Sequence, residues 1–144
     1  MKDQVKIKLA SVSDIEELCK LNTYFYNNTD VNLLRKSLNK NTTEIICIAY
    51  VNNMAVGFCS GIIIKSIFYD ELRAEMEAMF VREEYRKQGI GNKLLNFLET
   101  QLSERGVHHF HVSTHHTNRE AILLVEKNAY NKTGEIILDK TKEY

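Results

Sequence analysis

Arg86-Lys87-Gln88-Gly89-Ile90-Gly91 is the stretch of this chain best suited to hold a phosphate. It lies between a strand-like run, Met76 to Val81, and an amphipathic helical run, Asn92 to Glu104. A glycine-bearing turn at such a junction aims several backbone N–H groups at a point where the helix dipole is positive. The chemistry that follows is the gripping of a diphosphate, and so of a pyrophosphate-containing cofactor. The P-loop pattern is absent, as is the three-glycine dinucleotide fingerprint with its later acidic residue. Glu75 and Glu77 stand just upstream. Strand periodicity puts them on one face with Met79 and Val81, while Met76, Ala78 and Phe80 face the other way. His108, His109, His111, His115 and His116 crowd the following strand and loop. His109 and His111 share a strand face, which suits a metal, a pocket whose charge changes between pH 5 and 8, or simply a polar strand end. No Cys or carboxylate accompanies them in that segment, so no metal ligands are assigned.

The elements that must position these residues follow from hydrophobic periodicity. Val5 to Leu9 alternates as a half-buried strand, and Ser13-Asp14-Ile15-Glu16 forms a capping box before Leu18, Leu21 and Phe25. Asp30 caps a second short helix carrying Val31, Leu34 and Leu38, reached through the corner Tyr24-Phe25-Tyr26-Asn27-Asn28, a place to touch substrate. Glu44 to Val51 and Met54 to Ile64 are β-rich runs joined by Asn52-Asn53, a pair that tolerates positive φ and makes a tight hairpin. Glu71 to Arg82 adds a third antiparallel strand. The glycine loop and the long helix carrying Leu94, Leu95, Leu98 and Leu102 then cross over to a parallel strand, Val107 to Ser113. Thr117-Asn118-Arg119-Glu120 is a second capping box, opening a helix that ends near Asn128, and Glu135 to Lys140 alternates as a terminal strand. The order is β-α-α-β-β-β-α-β-α-β, an α+β domain.

A chain of 144 residues with 44% apolar content suits one domain, residues 1–144, with a single core. Nineteen basic and nineteen acidic side chains cancel, so no global field draws nucleic acid or an anionic membrane. No apolar run approaches the roughly 20 residues of a membrane span, and the N-terminal residues lack a signal-peptide apolar block, which points to a cytoplasmic protein. Cys19, Cys47 and Cys59, odd in number and set within apolar periodic segments, read as reduced buried thiols.

With the strand, the Arg-x-x-Gly-x-Gly loop and the leucine-faced helix in place, most of the chain resembles the GNAT superfamily of N-acetyltransferases, whose loop binds acetyl-CoA. The resemblance implies a central mixed, mostly antiparallel sheet flanked by helices. It assigns Met79, Phe80 and Val81, by their backbone groups, to the pantetheine arm of the cofactor. It assigns Arg86, Lys87, Gln88, Gly89, Ile90, Gly91 and Asn92 to its phosphates. Arg86 adds a guanidinium to the phosphate or pairs with Glu83 or Glu84. Asn118-x-x-Ala121 matches the start of the family's final helix, placing Asn118 and Ala121 near the cofactor arm. Two departures stand out: Val125 occupies the place of a tyrosine that many relatives use as the acid for the departing thiolate, and Ala129-Tyr130 replaces Gly-Phe.

Acetyl transfer to an amine needs the nitrogen lone pair, and freeing it from a lysine-like ammonium at pH 7 costs about 4.6 kcal/mol. A carboxylate beside the thioester serves as base and attracts the cation. Glu77, which the polyamine-acetylating branch matches, is the first candidate and Glu75 the second. Valine donates no proton, but a thiolate with a pKa near 8.5 leaves unaided, and Tyr130 or a hydroxyl of the pocket is a substitute acid. The expected activity is transfer from acetyl-CoA to a primary amine of a small cationic acceptor, polyamine- or aminoglycoside-like, or of a protein. The alternative is a module that binds acetyl-CoA and regulates without turnover, which Val125 favours. Nucleic acid and membrane are not expected partners. The oligomeric state is open, a homodimer being frequent among relatives.

Overall fold

The computed structural model describes residues 4–25, 30–40 and 43–143. Tyr26, Asn27 and Asn28 of the expected substrate-touching corner lie outside these residues. The chain forms two compact units, Met1–Ser113 and Thr114–Tyr144.

The first unit holds β1 (Val5–Leu9), α1 (Ile15–Phe25), α2 (Val31–Lys40), β2 (Glu44–Val51), β3 (Met54–Ile64), β4 (Leu72–Val81), α3 (Ile90–Glu104) and β5 (Val107–Val112). Its sheet runs in chain order, β1 to β5, antiparallel except for the β4–β5 pair. Asn52 and Asn53 sit at φ 49° and 65° between the paired Val51 and Met54, the two-residue left-handed turn that matches strand twist. Asp30 caps α2 through Oδ1, which accepts from Asn32 N at 2.9 Å and Leu33 N at 3.2 Å.

Each face of the sheet carries its own core. On one, Ile90, Leu94, Leu98 and Leu102 of α3 are fully buried against Cys47, Ala49, Val56, Cys59, Ala74 and Val107. On the other, Leu18 and Leu21 of α1 pack on Ile48, Ala55 and Phe58. Gly57 lets β3 and β4 approach under α3, since a Cβ there would stand 2.8 Å from the Phe80 carbonyl oxygen. Cys47 and Cys59, opposed in register, are buried free thiols, whereas Cys19 is half-buried.

The first capping box lies two residues earlier than its sequence pattern: Ser11 N donates to Asp14 Oδ2 at 2.9 Å, around a short 3-10 turn, Val12–Asp14. Asp14 is drawn inward because it is also the anchor of this corner, ion-paired to Lys8 Nζ at 3.0 Å and accepting from Tyr50 Oη at 2.6 Å. Burial raises its pKa, but the bonds from Tyr50, Ser11 and Lys8 outweigh that and hold the carboxyl below its ordinary value. Its stabilising contribution is therefore present above pH 4 or so and is lost as pH falls through the lowered folded value. Tyr50→Phe should cost about 1.5–3 kcal/mol at pH 7, the worth of a hydrogen bond to a charged group. It should also move the acid unfolding midpoint to higher pH, which urea melts followed by circular dichroism across pH 2–7 would measure.

The second unit contains α4 (Arg119–Lys127), capped by Asn118 rather than Thr117: Asn118 Oδ1 accepts from Ala121 N at 3.2 Å. Ala129 takes the left-handed conformation after the helix, φ 68°, where glycine would be unstrained. The element order is that expected through α4, but the terminal strand at Glu135 to Lys140 does not form. A strand requires a ladder partner; this run has none assigned among the described residues, and Ile136, Ile137 and Leu138 are exposed.

Candidate active site

β4 carries the site because it loses its neighbour halfway along. The parallel ladder with β5 runs from Leu72–Val107 to Met76–Val112 and ends there. From Ala78 to Val81, β4 remains paired to β3 alone among the described residues. The backbone of Met79, Phe80 and Val81 on the β5 side is thus a strand edge, open to an extended chain of amide character.

At the mouth of this split comes a bulge. Ser60 pairs with Ala78, but the next β3 residue, Gly61, pairs with Met76, so Glu77 is the extra residue on β4. Strict alternation, which grouped Glu75 and Glu77 with Met79 and Val81, is corrected by it. Ala74, Met76, Met79 and Val81 pack on the α3 side, while Ala78 and Phe80 belong to the core beneath α1. Glu77 is exposed at the inversion point.

The α1 side of the sheet gathers a set of polar groups. Glu75, half-buried, faces His111 across the β4–β5 ladder, its Oε1 3.3 Å from His111 Nδ1. His111 Nε2 lies 2.8 Å from His109 Nε2, and a bulge at His108 puts both rings on this face. Glu44, which sequence reading passed over, joins them. Burial and the nearby Glu77 charge raise its pKa, opposed by a hydrogen bond from buried Ser60. Glu44 also lines a cleft with Ser37 and Leu38 of α2. Counting back from the Asn52-Asn53 turn would set Glu44 opposite Gly61. The bulge at Val56 shifts that partner to Ile62, while Glu44, alternating with Ile46 and Ile48, lies on the α1 side.

The glycine loop lies at the other end of the split. A 3-10 turn, Glu83–Tyr85, leads into it, and Lys87 and Gly89 both adopt positive φ, 63° and 83°. Gly89 is the N-cap of α3, so Ile90 and Gly91 begin the helix instead of preceding it, and no acidic side chain occupies its first turn. The first-turn amides of Ile90 and Gly91 have no intrahelical acceptor. A Cβ on Gly89 would meet nothing within 4 Å, so the space beside the loop is open there. Backbone donors, a positive helix end and empty space fit a diphosphate. Arg86 does not pair with Glu83 or Glu84: its Nε donates to Val81 O at 2.8 Å and its guanidinium lies over the Phe80 ring, tying the loop to the end of β4. Glu84 instead pairs with Arg82 at 3.5 Å.

Asn118 and Ala121, in the second unit, are bound to one another in the α4 cap, and Val125 and Tyr130 follow on and after that helix. His115 and His116, also in that unit, stack at 4.5 Å, with His115 Nδ1 2.7 Å from Thr117 Oγ1. Among the described residues, no three metal-ligating side chains converge, and no helix is long and apolar enough to cross a membrane.

Solved structures share this arrangement. An aminoglycoside acetyltransferase from an uncultured soil metagenomic sample, in complex with sisomicin, is similar with a TM-score of 0.85 at 18% identity, over 97% of each chain. The aminoglycoside N-acetyltransferase AAC(6')-Iy in complex with CoA is similar with a TM-score of 0.84 at 14% identity, over 99% of this chain and 97% of that one. A ribosomal-protein-alanine N-acetyltransferase from Brucella melitensis biovar Abortus 2308 is similar with a TM-score of 0.81 at 17% identity, over 95% and 99%. No curated protein matches the chain in sequence. The model of the acetyltransferase (GNAT) family matches residues 9–130. The split strand, the glycine loop at a helix start and that match lead to one conclusion: the chain belongs to the GNAT family and is an acyltransferase that uses acetyl-CoA.

Proposed function

We propose that the chain, as one domain over residues 1–144, transfers the acetyl group directly to a primary amine of a small polycationic acceptor, polyamine- or aminoglycoside-like. The observation that carries this reading is the trio Glu44, Glu75 and Glu77 on one side of the sheet at the mouth of the β4–β5 split. Acetyl-CoA supplies a thioester carbonyl open to attack. Arg86 to Asn92 would hold its diphosphate and the backbone of Met79 to Val81 its arm. Glu77 accepts the ammonium proton, Glu75 being the second candidate, and the carboxylates draw in the cation. Val125 offers no proton, so the thiolate leaves without a tyrosine acid. That same valine is the feature favouring a second reading, a module that binds acetyl-CoA without turnover.

Thiol release measured with acetyl-CoA and spermidine, neamine, sisomicin, an alanine-terminated peptide and an anionic amine separates these readings. Turnover confined to the polycations is expected. Turnover of the peptide alone, or of none, overturns the proposal. Glu44→Gln should raise KM for the active polycation about tenfold, roughly one hydrogen bond to a charge, with kcat little changed. Because ionised Glu44 is disfavoured in the folded state, the same change should raise the melting temperature at pH 7, a gain at the expense of binding.

A further inference from the structure

Turnover of an ammonium leaves a surplus proton. Of its three N–H protons, one stays on the amide nitrogen, one ends on the released thiol, and one must reach solvent. We propose that the pair His109–His111, backed by Glu75, receives that proton and releases it. This rests on the acetyltransferase reading above. The two Nε2 atoms lie 2.8 Å apart, so one of them must donate and the other accept. Two imidazolium rings cannot share that contact, because both Nε2 would carry hydrogen. In this contact the pair therefore holds either no extra proton or one.

Glu75 sets where the charge rests. Its Oε1 is 3.3 Å from His111 Nδ1, which it holds protonated, leaving Nε2 of the neutral ring as the acceptor. When a proton arrives at His109, the Nε2 hydrogen already between the rings passes to His111. The positive charge then faces the Glu75 carboxylate. His109 is exposed and His111 only partly so, which gives the proton a way out to water. The step balances: the ammonium N–H bond breaks with its electrons left on nitrogen, the Glu77 carboxylate takes the proton first, and the neutral pair takes it from Glu77. The pair sits one ladder step below the end of the β4–β5 pairing. The other charged groups on this side are Arg73, opposite His109 in the ladder, and Glu44 and Glu77.

His111 acts through its neighbours and is a positioning residue, so its test needs readouts that mere packing would not move. In full-chain protein labelled with 15N-histidine, long-range NMR correlations between pH 5 and 9 should show neutral His111 protonated at Nδ1. Glu75→Gln should remove that preference and let His111 protonated at Nε2 appear. With the active polycation, His111→Ala should lower kcat about 100-fold, the scale of proton-transfer catalysis, with KM within about twofold. The acid limb of the kcat profile should move, and added imidazole should restore rate. Neutral His111 protonated at Nε2, a kcat profile like wild type, or a loss that imidazole does not restore would overturn the relay. A wild-type chain that turns over no amine defeats the acetyltransferase reading itself, a result distinct from an active enzyme indifferent to His111.

Discussion

Glu77→Gln should lower kcat about 10²- to 10⁴-fold, the range for loss of a general base, while the affinity for CoA stays near that of the parent. Glutamine keeps the size and one acceptor oxygen of Glu77 but cannot take the ammonium proton. Structural damage should be slight, because Glu77 is exposed and, as the extra residue of a bulge, has no Cα partner in the β3 register. The bulge is also what aims it. Were Glu77 to alternate in the ladder like any other residue, Ala78 to Val81 would present the opposite faces, and Met79 and Val81 would leave the core beneath α3. Stopped-flow thiol release across pH would measure the loss. The rate should recover with rising pH as the free amine becomes abundant, and a rate equal to the parent at pH 7 would remove Glu77 from its assigned role.

Gly89→Val should weaken CoA binding about 10²- to 10³-fold. A β-branched residue at φ 83° is strained by roughly 1–2 kcal/mol. Relaxing that strain turns the cap amides away from the phosphates, at roughly 1.5–3 kcal/mol for each charge-assisted bond lost. The new side chain meets no protein atom at its Cβ, so the defect is one of ligand and backbone, not packing. The melting temperature of the ligand-free protein should fall by only about 3–8 °C. Isothermal titration calorimetry and a thermal melt of the same sample separate the two effects.

Much of this architecture was legible in the sequence because it is written in local periodicity. Val5–Leu9, Glu44–Val51 and Met54–Ile64 have the bounds that alternation and the Asn-Asn turn imply, and the buried stripe of α3 is the predicted leucine face. What escaped was whatever a single extra residue changes. The bulges at Val56, Glu77 and His108 each invert which face a strand presents, and no local pattern marks them, since a bulge is decided by the partner strand. Glu77 was grouped with the wrong neighbours for this reason, whereas Glu44 keeps the face that alternation with Ile46 and Ile48 gives it and gains its meaning only from Ser60 and Glu77 on other strands. The His109–His111 face was read correctly, yet its carboxylate partner comes from another strand and became visible only with the parallel register. The segment Glu135 to Lys140 shows the converse limit: alternation is necessary for a half-buried strand, but pairing makes it one.

Mapping CoA onto the protein by amide NMR, alongside calorimetry, tests the central claim most directly. Saturable binding should shift the amides of Lys87 to Asn92 and of Met79 to Val81 most strongly, and Gly89→Val should abolish those shifts. Binding that leaves these amides unmoved, or no binding at all, would contradict the assignment of the split strand and its glycine loop as the acetyl-CoA site.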